Sequence, residues 1–258
     1  MGLAVAQALA AQGTWQIHLV DIKADAGAKV ANALGPNATF HCVDLRNYDA
    51  LAATFKAAFS AGGRHRLDFV FANAGLIDKG NMLDLSSEDE RDPPPQPDYA
   101  AVEVNLKGAM DTVHLARHYM LRSPEKDKGA IVVTASCSIG ILGFVRAIAG
   151  QCKIVDGIRV NALLPGAVKT PIIDDWGDFP DESFTPMELI VETVLKLAAG
   201  GEIVDSKGAR IPPEKAYGQA LLVTGKNVYI YPEAEFPDEV MAATIEATKP
   251  ENRFQEKH

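Results

Sequence analysis

Polar residues that could bind a ligand follow apolar runs at three places in the first third of the chain. Asp21, Asp44 and the motif Asn73-Ala74-Gly75 each come directly after such a run. Buried parallel strands end in this way at the carboxyl edge of a sheet, which is where α/β proteins bind ligands. A carboxylate there can accept hydrogen bonds from ligand hydroxyl groups, and Gly75 lets the backbone approach a ligand closely. A plain turn also favours Asn and Gly. The neighbouring motifs must therefore decide whether these residues form a ligand site or only a turn.

Apolar runs that alternate with helical patterns position these residues. Short runs rich in β-branched and aromatic residues predict strands, and apolar residues at helical spacing between them predict helices. The predicted strands cover residues 15–20, 38–43, 67–71, 130–135, 158–164 and 220–223. The predicted helices cover residues 2–10, 29–34, 48–61, 99–121, 139–149 and 186–199. This alternation predicts an α/β fold with a doubly wound, mostly parallel Rossmann-type sheet and helices on both faces.

Composition limits the kind of partner. The chain has 258 residues and a net charge of −9, which argues against a protein that binds the phosphate backbone of nucleic acids. Its apolar stretches are shorter than the ~20 residues that span a bilayer, and no targeting signal stands at either end. Cys42, Cys137 and Cys152 lie far apart, so we expect reduced, mostly buried thiols. We expect a single-domain cytoplasmic protein with a small-molecule partner and no membrane or nucleic-acid contact. The acidic, proline-rich stretch 84–98 predicts a surface loop.

Several motifs, taken together, resemble the short-chain dehydrogenase/reductase family, and fungal members similar to 15-hydroxyprostaglandin dehydrogenase in particular. The resemblance covers residues 2–175 in order and at family spacing. The most specific motif is Pro-Gly-x-Val-x-Thr-Pro after an Ile-Arg-Val-Asn strand. The matching positions are Gly2, Asp21, Asp44-Leu45, Asn73-Ala74-Gly75, Asn105, Ser136 and Pro165-Gly166-Ala167-Val168-Lys169-Thr170-Pro171.

The resemblance implies a nicotinamide cofactor. Asp21 would accept hydrogen bonds from the adenosine ribose and repel a 2′-phosphate, which favours NAD while NADP stays possible; the alternative is a helix-capping Asp. Asp44, with Leu45, would contact the adenine, and the Asn73 motif would lie under the adenosine ribose. On the nicotinamide side the implied cofactor-binding residues are Pro165, Gly166, Val168 and Thr170, of which Val168 and Thr170 would contact the carboxamide.

The resemblance also implies two catalytic positions. Ser136 matches the serine that hydrogen-bonds the substrate carbonyl and stabilises the developing oxyanion, with Ser138 as the alternative. Asn105 matches an asparagine that holds a water in the proton relay; the alternative is a polar residue of an amphipathic helix. His114 and His118, one helical turn apart and preceded by Asp111, could suggest a metal. Two ligands on one helix indicate a solvated or subunit-contact face more strongly, so no metal is expected.

Two family elements have no counterpart in the sequence. The chain starts at the last glycine of the family's Thr-Gly-x-x-x-Gly-x-Gly loop, so the central first strand and the phosphate loop are missing. Their loss would open a gap between two buried strands. None of the six tyrosines has a lysine four residues later, and the Tyr-x-x-x-Lys segment looks excised between Ser138 and Ile139. Because the tyrosine supplies the proton and the lysine lowers its pKa, we expect little or no activity.

The function implied by the resemblance is NAD(P)-dependent oxidation or reduction of an alcohol or ketone, on a lipid-like or secondary-metabolite substrate. The alternatives are a non-catalytic binding or scaffold protein and a cofactor-independent cyclase or isomerase. A wrong start and a skipped segment in the gene sequence would leave the same pattern.

The resemblance implies that the chain is divided into two parts. Residues 1–175 would form the cofactor-side core, and residues 176–258 a substrate-side lid and carboxyl-terminal segment. Within the second part, Pro186 to Tyr231 is the predicted lid, although its apolar residues at helical spacing equally predict ordinary core. A homo-oligomer is expected of the family, but one of the two helices that form it has lost its first turns, which weakens that expectation.

Overall fold

A computed structural model describes residues 1–77, 93, 96–124, 128–136, 140–173 and 175–248. Its strands are β1 (Ile17–Asp21), β2 (Ala38–Cys42), β3 (Phe69–Ala72), β4 (Ala130–Thr134), β5 (Arg159–Pro165), β6 (Ile203–Val204), β7 (Arg210–Ile211), β8 (Ala220–Thr224) and β9 (Asn227–Ile230). Its helices are α1 (Gly2–Ala11), α2 (Ala24–Leu34), α3 (Tyr48–Ser60), α4 (Ala100–Val102), α5 (Ala109–Met120), α6 (Gly140–Ile154), α7 (Met187–Ala199) and α8 (Glu239–Thr248).

A five-stranded sheet in the order β3-β4-β5-β8-β9 forms the centre of the fold. Its first four strands are parallel, and β9 returns antiparallel to β8. The pairs Val132–Asn161 and Leu163–Leu221 fix the register of the middle strands. The apolar sequence of β4 and the buried residues Val160 to Leu164 of β5 suit strands that are covered on both faces.

The strands β1 and β2 form a separate parallel pair. Within the described residues, β1 pairs only with β2 and β3 pairs only with β4, so one edge of each has no strand partner. The two edges nevertheless belong to one body, because Trp15 before β1 contacts Phe69 of β3 with ring centroids 6.5 Å apart. Residues of β3 are half-buried, whereas the paired residues of β4 are fully buried. The predicted gap in the sheet is therefore present between β1 and β3.

Helices cover both faces of the sheet, as predicted. One hydrophobic cluster joins α3, α5 and α6 to the sheet, with Leu51, Val113 and Val145 among its buried residues. A second cluster on the other face joins α1 and α7 to the sheet through Val5, Ile190 and their neighbours. Each sheet face thus buries its own set of apolar side chains, which is the source of most of the fold's stability.

The structure differs from the sequence expectations in several elements. The long helix over residues 99–121 contains a π-helical turn, Glu103–Gly108, between α4 and α5. The short pair β6–β7 and the helix α8 were not predicted. Of the two interpretations left open for residues 186–231, lid and ordinary core, the structure supports core for α7 and β8, because Ile190 and Val194 of α7 have no exposed surface and β8 lies inside the central sheet.

Cys42 is exposed rather than buried, because it lies on the outer strand β2, whereas Cys152 is buried. Cys137 and most of the predicted surface loop 84–98 lie outside the described residues. In the described part of the chain, no helix combines the length and the apolar character that crossing a membrane requires.

Candidate active site at the carboxyl edge of the sheet

Two carboxylates lie at the ends of β1 and β2. Asp21 Oδ1 accepts a hydrogen bond from the backbone N–H of Lys23, just before α2, at 2.9 Å, and its second oxygen has no partner in the described part of the chain. Asp44 accepts the backbone N–H and the guanidinium of Arg46, both at 3.0 Å. This hydrogen-bonded Arg46 holds the pKa of the Asp44 carboxyl below its ordinary value. Asp21 therefore has the freer carboxylate for a ligand hydroxyl.

The end of β3 is joined to the start of α1. Asn73 Oδ1 accepts a hydrogen bond from Thr134 Oγ1 at 3.3 Å, which ties the ends of β3 and β4 together. A Cβ added to Gly2 would lie 3.1 Å from Asn73 Nδ2, so the first residue of α1 contacts this amide. Ala74 and Gly75 follow and are exposed. The predicted residues Gly2, Asn73, Ala74 and Gly75 thus lie together at one edge.

The π-helical turn positions Asn105 over the same edge. Asn105 Oδ1 accepts the N–H of Leu76 at 2.9 Å, and its Nδ2 donates to the carbonyl of Leu76 at 2.8 Å. Gly108 closes the turn, and a Cβ there would lie 3.0 Å from Leu45 Cβ. The turn therefore holds both Leu76 after β3 and Leu45 after β2. The predicted water-binding role of Asn105 stays a prediction.

Ser136 follows β4 and is half-buried. The N–H of Ala135 donates to the carbonyl of Leu163 at 2.7 Å, so the pairing of β4 with β5 continues almost to Ser136. The alternative, Ser138, lies outside the described residues. The helix α6 then begins at Gly140 and directs Ile141, Leu142 and other apolar residues into the core.

The end of β5 forms the opposite side of the edge. The N–H of Gly166 donates to the carbonyl of Val223 at 2.7 Å, and a Cβ at Gly166 would lie 3.0 Å from that oxygen. A larger residue at this position would force the neighbouring backbone to shift. Pro165 ends β5, Val168 is buried in the core, and Thr170 is half-buried. The backbone from Pro165 to Thr170 is therefore held firmly at the sheet edge.

Three aromatic residues beside this segment were not predicted. Trp176 contacts Phe184 and Phe179 with ring centroids 5.2 and 5.7 Å apart, and the two phenylalanines are 6.0 Å apart. We call Trp176, Phe179 and Phe184 the aromatic cluster. Lys169 Nζ lies 4.2 Å from the centroid of the Phe184 ring. The spacing of these aromatics follows neither a helical nor a strand period, so only their concentration in an acidic segment could have signalled them.

The metal hypothesis gains no support from the described residues. Asp111 pairs with Lys107 at 2.6 Å, one helical turn before it. Among the described residues, no group of three or more His, Cys, Asp or Glu is arranged to hold a metal ion.

Comparison with known proteins places the chain among oxidoreductases. A family model described as enoyl-(acyl carrier protein) reductase matches residues 1–190. The short-chain dehydrogenase/reductase prx7 of Penicillium rubens is 38% identical over 279 aligned positions, which cover 98% of each chain. Since the chain has 258 residues, at least 21 of those positions are occupied only in the relative.

A further relative and a solved structure are also similar to the chain. A 2,5-dichloro-2,5-cyclohexadiene-1,4-diol dehydrogenase of Sphingobium indicum is 32% identical over 192 positions, covering 67% of this chain and 70% of that one. A 3-ketoacyl-(acyl-carrier-protein) reductase of Brucella melitensis, complexed with NADH, shares the fold with a TM-score of 0.65 at 22% identity, over 86% of this chain and 91% of that one. The chain belongs to the short-chain dehydrogenase/reductase family.

Proposed function

We propose that the chain binds NAD(H) at the carboxyl edge of its sheet and that its hydride transfer to or from an alcohol or ketone is impaired. One observation carries the proposal. The edge brings together the residues predicted for both ends of the cofactor, while α6 begins at Gly140 and no Tyr-x-x-x-Lys exists in the sequence.

The adenosine end of the site fits NAD better than NADP. Asp21 is exposed at the end of β1, and one of its carboxylate oxygens is free of partners in the described residues. A carboxylate in this position suits ribose hydroxyl groups and repels a 2′-phosphate. At the nicotinamide end of the site, the close backbone packing at Gly166 keeps the segment from Pro165 to Thr170 beside the sheet edge. The bound nicotinamide would supply or accept the hydride.

The proton chemistry of the site explains the proposed impairment. Ser136 can donate a hydrogen bond to a substrate oxygen, but an alcohol hydroxyl is too weak an acid to supply the proton by itself. The lysine that would lower the pKa of a neighbouring tyrosine has no counterpart on α6, whose Lys153 lies in the last turn. The positions occupied only in the Penicillium relative are consistent with an internal loss. We therefore infer that turnover does not exceed the uncatalysed rate.

The substrate is proposed to be a lipid-like or secondary-metabolite alcohol or ketone. The Sphingobium relative is named for a ring-bearing diol, which supports a ring-bearing secondary alcohol as one form of the substrate. The finer resemblance to 15-hydroxyprostaglandin dehydrogenase stays a prediction. The site as a whole takes a small molecule, and the proposed location is the cytoplasm.

The cofactor proposal is tested by measuring the dissociation constants of NADH and NADPH for the wild type, for Asp21→Asn and for Asp25→Asn. Asp25 lies in the first turn of α2 and serves as the matched control. We expect the wild type to bind NADH at least ~10-fold more tightly than NADPH, and only Asp21→Asn to narrow that ratio, because charged hydrogen bonds contribute about 1.5–3 kcal/mol. A preference for NADPH, or equal effects of both variants, would refute the assignment of Asp21.

A further inference from the structure

We propose that the aromatic cluster binds the substrate directly, and that this substrate is an uncharged, ring-bearing alcohol or ketone rather than a thioester on a phosphorylated carrier. This inference rests on the proposed function and specifies its substrate. It combines three observations: the place of the cluster, its exposure and the charge around it.

The cluster is anchored to the edge where the reacting group of the substrate would lie. Ala167 forms a β-bridge with Phe184, and the N–H of Thr185 donates to the carbonyl of Ala167 at 2.7 Å. Thr185 Oγ1 also donates to the carbonyl of Val223 at 3.3 Å. These bonds fix Phe184 next to the segment Pro165 to Thr170, and the other two rings pack on it. The cluster therefore borders the nicotinamide end of the site.

The cluster is not part of either hydrophobic core. None of its three residues belongs to the two clusters of buried apolar residues on the sheet faces. Phe179 is 52% exposed, and the nearby Ile172 is 49% exposed. Aromatic rings that pack edge-on to each other but remain open to solvent offer an apolar surface to a flat or cyclic ligand. A ring system is the ligand shape that such a surface contacts best.

The charge around the cluster selects against anions. Among the described residues 175–184, the exposed carboxylates are those of Asp175, Asp178, Asp181 and Glu182. Lys169 pairs with Asp181 at 3.4 Å, and the sequence has no basic residue between Lys169 and Lys196. These negatively charged carboxylates repel an approaching phosphate over distances of roughly a Debye length. An uncharged substrate meets no such penalty.

The test uses the Trp15→Phe background, which leaves Trp176 as the only tryptophan. The chain is titrated with 2-decalone, with the linear 2-decanone of matched carbon number, and with acetoacetyl-coenzyme A. Trp176 fluorescence and calorimetry report binding, each with and without NADH. We expect saturable quenching by 2-decalone, at least ~3-fold weaker binding of 2-decanone, and the weakest binding for acetoacetyl-coenzyme A, with an affinity that rises as salt screens the carboxylates.

Variants separate a binding role from a structural one. Phe179→Leu should weaken 2-decalone binding by about 2–10-fold, the range expected from loss of one aromatic contact, without changing the NADH affinity. Tyr48→Leu, at an exposed aromatic residue at the start of α3, is the matched control. It should change neither the affinity for 2-decalone nor the affinity for NADH.

Tight binding of acetoacetyl-coenzyme A, equal binding of the ring and chain ketones, or a Phe179→Leu variant with a lower melting temperature but unchanged ketone affinity would overturn the proposal. Self-association through the cluster without ketone binding would overturn it too. Ketone binding without any NADH binding would refute the proposed function while leaving the assignment of the apolar ring-binding surface intact.

Discussion

The side-chain amide of Asn105 and the backbone of Leu76 form a reciprocal pair of hydrogen bonds, 2.9 Å from the Leu76 N–H and 2.8 Å to its carbonyl. This pair joins the π-helical turn to the chain just after β3. Because the sheet is interrupted between β1 and β3, we expect such side-chain contacts to help hold the end of β3. Asn105 is therefore a positioning residue for the Asn73 motif.

Replacing Asn105 with Asp should destabilise the fold in a pH-dependent way. A carboxylate can still accept the Leu76 N–H but cannot donate to the Leu76 carbonyl, so we expect a loss of about 1–3 kcal/mol at neutral pH. A protonated Asp can donate again, so its folded-state pKa should be raised and the loss should shrink as the pH falls through that pKa. Urea unfolding of both chains at pH 7.5 and at acidic pH measures the difference.

Asn37→Asp is the control for that experiment, because Asn37 is exposed in the turn before β2. It should change the free energy of unfolding by less than about 0.5 kcal/mol at either pH. A loss for Asn105→Asp that is the same at both pH values would show that the donated bond to Leu76 is unimportant.

Gly108→Ala should destabilise the protein although alanine favours helices. The new Cβ would lie 3.0 Å from Leu45 Cβ and 3.3 Å from the carbonyl of Glu103, so the packing of the π-helical turn must shift. Such overpacking costs about 1–3 kcal/mol. Gly143→Ala in α6 meets nothing within 4 Å and should instead stabilise by about 0.5–1 kcal/mol. Thermal or urea unfolding checks both, and the same sign for the two variants would contradict the described packing.

Hydrogen exchange should reveal the interruption in the sheet. In β3 and β1, the backbone N–H groups that point away from the paired strand have no strand acceptor among the described residues, whereas β4 is paired on both sides. Amides in Phe69–Ala72 and Ile17–Asp21 should therefore exchange faster on average than those in Ala130–Thr134. Equal protection of all three strands would mean that the gap between β1 and β3 is closed in solution.

The cysteines should differ in reactivity. Burial, with a contribution from Asp156, raises the pKa of the Cys152 thiol to about 11, while Arg117 opposes the shift. At pH 8 almost no Cys152 is thiolate, and its sulfur is also inaccessible. Iodoacetamide should label the exposed Cys42 in the folded protein and Cys152 only in denaturant, as read by peptide mass spectrometry. Rapid labelling of native Cys152 would contradict its burial.

The sequence was most informative where strands are buried on both faces. The strand predicted over residues 158–164 corresponds to β5, which spans Arg159–Pro165, and its residues from Val160 to Leu164 are buried. The gap in the sheet was predicted as well, from the order of strands in the resembling family. Periodicity alone did not separate lid from core in α7, since buried apolar residues show the same spacing in both cases.

The sequence was least informative where contacts between distant parts of the chain determine the local structure. The aromatic cluster forms because the chain turns back on itself to pair Phe184 with Ala167, a contact that no local pattern encodes. The strands β6 and β7 have two residues each, too few for any periodicity. The exposure of Cys42 follows from the edge position of β2, which depends on how the separate pair β1–β2 sits in the whole fold.

The most direct test of the account is a parallel measurement of NADH binding and NADH oxidation by the purified chain. Binding is followed by nicotinamide fluorescence and by the melting temperature, which must rise with cofactor that binds only the folded state. Oxidation is followed with 2-decalone in excess across the pH range. We predict saturable binding with a raised melting temperature and NADH oxidation no faster than the protein-free rate. Absence of binding in a cooperatively folded chain, or enzyme-dependent turnover of the ketone, would contradict the claim that the cofactor site is kept and the proton donor is lost.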